Sequence, residues 1–243
     1  MANLQAIIFD YYETLAQLHE PPRQRLFDGI AREVGHPLAQ GEAYQQWIKH
    51  TSGDSNLRFG VSHSARPPTG GVPFEYRTFW DSWRERFGEL FKFWGVDAGG
   101  ELGADAYTGL HTDAEVYPEV RDTLRKLGRS CRLAVLSNAD DDFLLGSIAK
   151  NGLTFETVIS SEELRVYKPH VSIFRQTCER MGIEPAEALY VGDTPWADVE
   201  GSRNAGMGQV WINRHDAAWP DDIEPPQHTI TSLTELVSLV DES

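Results

Sequence analysis

Six polar residues scattered along the chain have the types that phosphoryl chemistry uses: Asp10, Ser137, Asn138, Lys168, Asp193 and Asp198. An aspartate can attack phosphorus and form an aspartyl-phosphate. Carboxylates can hold Mg²⁺, an ion that usually takes few protein ligands. Lysine, hydroxyl and backbone N–H groups bind phosphate oxygens, and a lysine with a metal offsets repulsion between an anionic nucleophile and an anionic substrate. Taken singly, each residue has a plainer reading. Asp10 can be a helix cap, Asp198 the N-cap of its own helix, Thr14 a structural residue, and Lys168, which precedes Pro169, a solvated loop lysine.

Position along the chain joins them. Ala6 to Phe9 is an apolar run that ends abruptly at Asp10, as a buried strand does. Arg132 to Leu136 is a strand ending in Ser137-Asn138, and Ala188 to Val191 one ending in Gly192-Asp193. Short strands at Thr157–Ile159 and Gly208–Ile212 alternate with helices at Pro118–Leu127, Asp140–Asn151, His170–Met181, Asp198–Ala205 and Leu233–Asp241. That alternation implies a doubly wound, parallel α/β sheet, whose ligands sit outside the carboxyl ends of the strands. Asp140-Asp141-Asp142 reads as a solvated helix start.

Between the first strand and this region lies an all-helical stretch. Pro21-Pro22 opens a helix carrying Leu26, Phe27, Ile30 and Val34, and a second runs from about Gly41 to Lys49. From Phe74 to Val96, aromatic residues at intervals of three and four form one long helix, followed by another at Glu101–Thr112. The organisation expected is an α/β core of residues 1–15 and 113–243 with a helical domain of 16–112 inserted, and a cleft between the two bodies. Residues 51–72, rich in Gly, Ser and Pro, read as a lid or as disorder. Arg23, Arg25, Arg58 and Arg66 are candidates for a substrate carboxylate, although a solvated face suits each one singly.

The 243 residues carry 22 Lys and Arg against 37 Asp and Glu, a net charge of −15. A field of that sign repels nucleic acid and anionic membrane, and leaves a small molecule as the expected partner. No run is long enough to span a bilayer, and Met1 to Gln5 lack the basic-then-apolar pattern of an export signal. Cys131 and Cys178 fit no metal spacing and read as reduced, buried thiols, consistent with a cytoplasmic protein, monomeric or homodimeric.

Four motifs occur in order: Phe-Asp-x-x-x-Thr-Leu at 9 to 15, Leu-Ser-Asn at 136 to 138, Tyr-Lys-Pro at 167 to 169, and Gly-Asp-x-x-x-x-Asp at 192 to 198. Together they resemble the haloacid dehalogenase (HAD) superfamily, in the branch with a helical cap after the first motif. The resemblance covers the whole chain. It implies a Rossmann-like core, an aspartyl enzyme intermediate and a cap that selects substrate. It implies Asp10 as nucleophile, Ser137 and Asn138 as anion binders, and Lys168 as the group steadying nucleophile and substrate. It further implies Asp193 as a Mg²⁺ ligand with Asp10 and the Tyr12 carbonyl, Asp198 as a supporting acid, and Thr14 as the residue that orders the first loop.

The departure is Tyr12. Phosphatases of the family place a second Asp there as general acid and base, a role a phenol with a pKa near 10 fills poorly at neutral pH. Tyrosine at this position resembles the 2-haloacid dehalogenases, as does Arg165 to His170, whereas Glu13 replaces a glycine common to both groups. In those enzymes halide leaves without a proton and no metal is needed, but they lack the Gly-Asp that this chain keeps at 192–193. A Mg²⁺-dependent phosphatase of a small metabolite with a good leaving group is therefore the leading expectation. A C–halogen hydrolase and a non-catalytic binding protein are the alternatives.

Overall fold

A computed structural model describes residues 4–18, 20–51 and 76–241. The loop reading for 51–72, with Arg58 and Arg66, lies outside the described residues from residue 52 onward. Strand β1 (Ala6–Phe9) precedes the helices α1 (Glu20–Glu33), α2 (Glu42–Thr51), α3 (Phe79–Phe93) and α4 (Glu101–Thr112). Then come α5 (Val120–Leu127), β2 (Arg132–Ser137), α6 (Asp141–Lys150), β3 (Thr157–Ser160), α7 (Ser161–Leu164) and α8 (Val171–Met181). The chain ends with β4 (Ala188–Gly192), α9 (Gly201–Ala205), β5 (Gly208–Ile212), β6 (His228–Ile230) and α10 (Glu235–Asp241). It divides into two compact units. One holds Met1–Gln17, Glu115–Asp141 and Ile148–Ser243; the other holds Leu18–Ala114 and Asp142–Ser147. No described helix is long and apolar enough to cross a membrane.

The first unit is an α/β fold built on a six-stranded sheet of order β3-β2-β1-β4-β5-β6, parallel throughout. Ala6 to Phe9 have no exposed surface, which is why β1 is apolar on both faces and lies in the middle of the sheet. The order reverses between β1 and β4, since β1 leads to β2 on one side while β4 continues on the other. A sheet of this kind opens its crevice at that point, beyond the strand ends. Phe9 pairs with Val191, so Asp10 and Asp193 both emerge there.

The second unit is helical, and its aromatic stripe is core. Phe27 lies 5.3 Å from Phe87 and 5.1 Å from Trp47, and Trp83 lies 4.7 Å from Tyr107, ring centre to ring centre. Each such ring buries about 150–250 Å², so these pairs contribute strongly to this unit's stability. Gly103 lets α4 approach α3 closely, because a Cβ there would sit 2.1 Å from the Phe87 ring. Phe143 from α6 also belongs here, stacked on Trp83 at 5.3 Å. Arg25 is exposed.

Three local expectations are corrected. Tyr76 to Thr78, expected in the helix from Phe74, precede it, and α3 starts at Phe79, because the Thr78 hydroxyl accepts from the Asp81 amide at 3.0 Å and caps it; Phe74 and Glu75 lie outside the described residues. Asp198 is not an N-cap; it lies inside a π-helical turn, Pro195–Glu200, that precedes α9. Asp140 is buried, whereas a solvated helix start was expected.

Candidate active site

Asp10 follows directly from β1, and its own amide prolongs the ladder by donating to Val191 O at 2.9 Å. Its side chain is buried and held from two sides. Ser137, the last residue of β2, donates through Oγ at 2.8 Å, and Lys168 donates through Nζ at 2.8 Å; both bonds fall on Oδ1. Lys168 also donates to Asp198 Oδ1 at 2.7 Å and to Tyr190 Oη at 2.9 Å. An ammonium has three protons, so its donors match three acceptors in a buried site. Tyr190 passes its own proton to Leu136 O at 2.8 Å.

The loop bearing Lys168 is fixed by Asn138. The Asn138 amide donates to Lys168 O at 3.1 Å and accepts from Lys168 N at 2.8 Å. Asn138 thus spends both ends of its side chain on backbone. Those two contacts position the lysine loop, and they use one of the two Nδ2 protons.

The fourth motif turns on Gly192. A Cβ there would lie 2.4 Å from Asp198 Cγ, so only glycine lets that carboxylate tuck beneath the strand end. The second oxygen of Asp198 accepts from Thr194 N at 2.8 Å. Thr14 reaches across to Asp193, Oγ1 to Oδ1, at 3.4 Å. The Asp193 carbonyl is held by Trp211 Nε1 at 2.8 Å. Tyr12 is buried, and its ring meets Tyr11 edge-on at 5.0 Å.

Asp10, Asp193 and Asp198 each offer an oxygen within 4.8 Å of the others. Burial, reinforced by Asp198, Asp10 and Glu13, pushes the Asp193 carboxyl well above the ordinary carboxylate range. Burial also raises Asp198, with Lys168 opposing. Burial alone would lower the Lys168 ammonium, yet its two carboxylate neighbours outweigh that and raise it. Among the described residues, Lys168 is the cation that pairs with this cluster of three acids. The imbalance is relieved either by a proton on Asp193 or by a second cation, and the all-oxygen donor set fits Mg²⁺. Asp198, expected only in support, joins this cluster as a full member.

Tyr190, Trp211, Glu13, Tyr117 and Arg214 were not assigned roles from sequence. Tyr190 carried the one available signal: a phenol among Ala188, Leu189 and Val191 needs a buried partner for its hydroxyl.

A haloacid dehalogenase-like hydrolase family model matches residues 4–206. The (S)-2-haloacid dehalogenase 4A of Burkholderia cepacia is 26% identical, over 98% of this chain and 95% of that one. Haloacetate dehalogenase H-2 of Moraxella sp. (strain B) is 26% identical over 99% of each. A structure of L-2-haloacid dehalogenase from Xanthobacter autotrophicus, with chloropropionic acid covalently bound, matches with a TM-score of 0.74 at 25% identity and covers 98% of both chains. The expected preference for a phosphatase over a dehalogenase finds no support among these relatives. The matched span takes in all four motifs and most of the chain, and the chain belongs to the haloacid dehalogenase-like hydrolases.

Proposed function

We propose that the protein hydrolyses the carbon–halogen bond of a short 2-haloacid through an ester on Asp10. The observation that carries this reading is the pairing of a doubly held Asp10 with Tyr12 at the place where a phosphatase of this family carries its acid. Both hydrogen bonds to Asp10 fall on Oδ1. Oδ2 is then the oxygen that attacks C2 of the substrate; the C–O bond forms as the C–X bond breaks, and halide leaves with the electron pair. No proton is needed, so a phenol at position 12 costs nothing. In the ester, Oδ1 is the carbonyl oxygen. Water attacking that carbonyl puts negative charge on Oδ1, where Ser137 and Lys168 already donate, an arrangement suited to an oxyanion. Collapse frees the 2-hydroxy acid, restores the Asp10 carboxylate and releases one proton. Relatives named 2-haloacid and haloacetate dehalogenases, matched over nearly their whole length, favour this substrate class, as does the covalent chloropropionic acid in the Xanthobacter structure.

A second reading, a Mg²⁺-dependent phosphatase, is favoured by one observation: Asp193 sits among acids that, among the described residues, have the Lys168 ammonium for balance. Asp10, Asp193, Asp198 and the Tyr12 carbonyl would hold the ion, which when bound would neutralise phosphate oxygens. Asp10 would attack phosphorus, with Lys168 and Ser137 on the phosphoryl group. Without an acid at Tyr12, acyl and aryl phosphates would be preferred over alkyl ones.

Halide release from (S)-2-chloropropionate and haloacetate, and phosphate release from acyl, aryl and alkyl phosphates, separate the readings when measured with Mg²⁺ and with EDTA. Chelator-resistant halide release, abolished in Asp10→Asn, is expected. Phosphate release that needs Mg²⁺, with no halide release, would overturn the first reading in favour of the second. Turnover of neither substrate class would return the protein to the non-catalytic alternative.

A further inference from the structure

The four residues after Asp10 are not held by the active-site contacts alone. Arg214, two residues beyond the end of β5, is buried, with 7% of its side chain exposed. Its Nε and Nη2 both donate to Thr14 O, at 3.2 and 2.7 Å. Its Nη1 pairs with Glu119 Oε1 at 2.7 Å, and its guanidinium lies 3.6 Å from the centre of the Tyr117 ring. Tyr117 in turn donates its hydroxyl to Glu13 Oε2 at 3.0 Å, and His215 Nε2 lies 3.1 Å from that same oxygen. Two other stretches of the chain, residues 117–119 and 214–215, meet residues 13 and 14.

Glu13 is the residue that replaces the family's glycine, and its φ of +61° is one that side chains rarely adopt. A left-handed non-glycine residue persists only where its surroundings over-determine it. Here the surroundings are the Tyr117 hydroxyl and the His215 ring on a buried carboxylate. An ion pair serving stability alone would be complete with Glu119. Two of the guanidinium's donors go instead to a main-chain carbonyl, and the same residue's hydroxyl reaches Asp193.

We infer that Arg214, with Tyr117 and Glu13, positions the nucleophile loop. Arg214 fixes the Thr14 carbonyl, which sets the Thr14 hydroxyl on Asp193 and the distance between Asp193 and Asp10. Tyr117 is the platform for the guanidinium, and Glu13 locks the platform. None of the three touches the reacting atoms. The inference rests on Asp10 as nucleophile, which both readings of the function share, and on neither substrate in particular.

The test combines one measurement that needs no substrate with one that does. In Arg214→Met, hydrogen exchange of amides in residues 10–17 should speed up at least about tenfold, with the sheet strands β4 and β5 unchanged. On whichever substrate the wild type turns over, kcat should fall by about a hundredfold, the scale of a small misplacement of reacting groups, with KM within about threefold. Arg214→Lys should recover part of kcat. Glu13→Gly, which relieves the positive φ while removing the lock, should keep or raise the melting temperature and still lower kcat about tenfold. Unchanged exchange at 10–17 in Arg214→Met would overturn the inference whether or not a substrate is known. So would a Glu13→Gly protein with wild-type exchange and kcat. Absence of turnover in the wild type, with faster exchange in Arg214→Met, would count against the function and leave the positioning role standing.

Discussion

Tyr190 accepts a hydrogen bond from Lys168 across 2.9 Å, and so supplies the third acceptor for a buried ammonium whose other two are Asp10 and Asp198. Tyr190→Phe removes that acceptor and keeps the ring. A hydrogen bond to a charged group contributes about 1.5–3 kcal/mol, and chemical denaturation should register a loss of that size. Turnover should fall about tenfold as the lysine gains a rotational choice. A variant as stable and as active as wild type would show that two carboxylates suffice.

Ser137→Ala tests the second half of the reaction. Removing one donor to a developing oxyanion costs about 10²–10³ in rate. Because attack by Asp10 does not need that donor, the ester should accumulate. Intact-mass measurement after brief exposure to (S)-2-chloropropionate should find a covalent adduct in the variant. Equal adduct levels in variant and wild type would mean that Ser137 serves both steps alike.

Gly192→Ala should abolish activity while leaving the sheet order intact. The added methyl would lie 2.5 Å from Asp198 Cβ and Oδ2, so Asp198 must leave Lys168. Breaking a buried pair in this way costs about 3–5 kcal/mol. Circular dichroism should retain the α/β signature while the denaturation midpoint drops sharply.

The pH dependence of stability should expose Asp193. A carboxyl raised in the fold stabilises when protonated: its contribution is full below the unfolded value of about 3.9 and fades as pH rises through the folded one. Burial and its acidic neighbours raise Asp193. Asparagine is neutral throughout, so metal-free Asp193→Asn should be more stable than wild type at neutral pH. The two should converge below about pH 4. If wild type binds Mg²⁺, millimolar Mg²⁺ should narrow the gap at neutral pH; urea unfolding with and without the ion measures both effects. Parallel curves from pH 3 to 8 would mean the carboxyl carries no strain.

In the helical unit, Phe27 touches Tyr44, Trp47, Phe87 and Tyr107. Phe27→Ala should cost about 3–5 kcal/mol and weaken near-ultraviolet circular dichroism, with β1 to β6 still protected from exchange. Loss of protection in the strands as well would show that the two units unfold together.

Sequence alone determined five strands of the sheet, their parallel sense and the ends that carry the site, because apolar runs that stop at Asp10, Ser137 and Gly192 record burial along the backbone; the short β6, only one of whose three residues is buried, left no such run. The four motifs likewise placed Asp10, Ser137, Lys168, Asp193 and Asp198 at one edge. Tertiary structure decided what those groups do to one another. That Asn138 holds the Lys168 backbone, that Asp198 shares an ammonium with Asp10, and that Tyr190 completes it depend on distances between residues 22 to 158 positions apart. Arg214 meets Thr14 across 200 positions, and no local pattern marks either partner. Periodicity reports which face of an element is dry; it carries no information on which polar group from another element fills the space opposite. The assignment of Phe143 to the helical unit and the π-helical turn at Asp198 escaped for the same reason, since packing between segments overrode the local repeat.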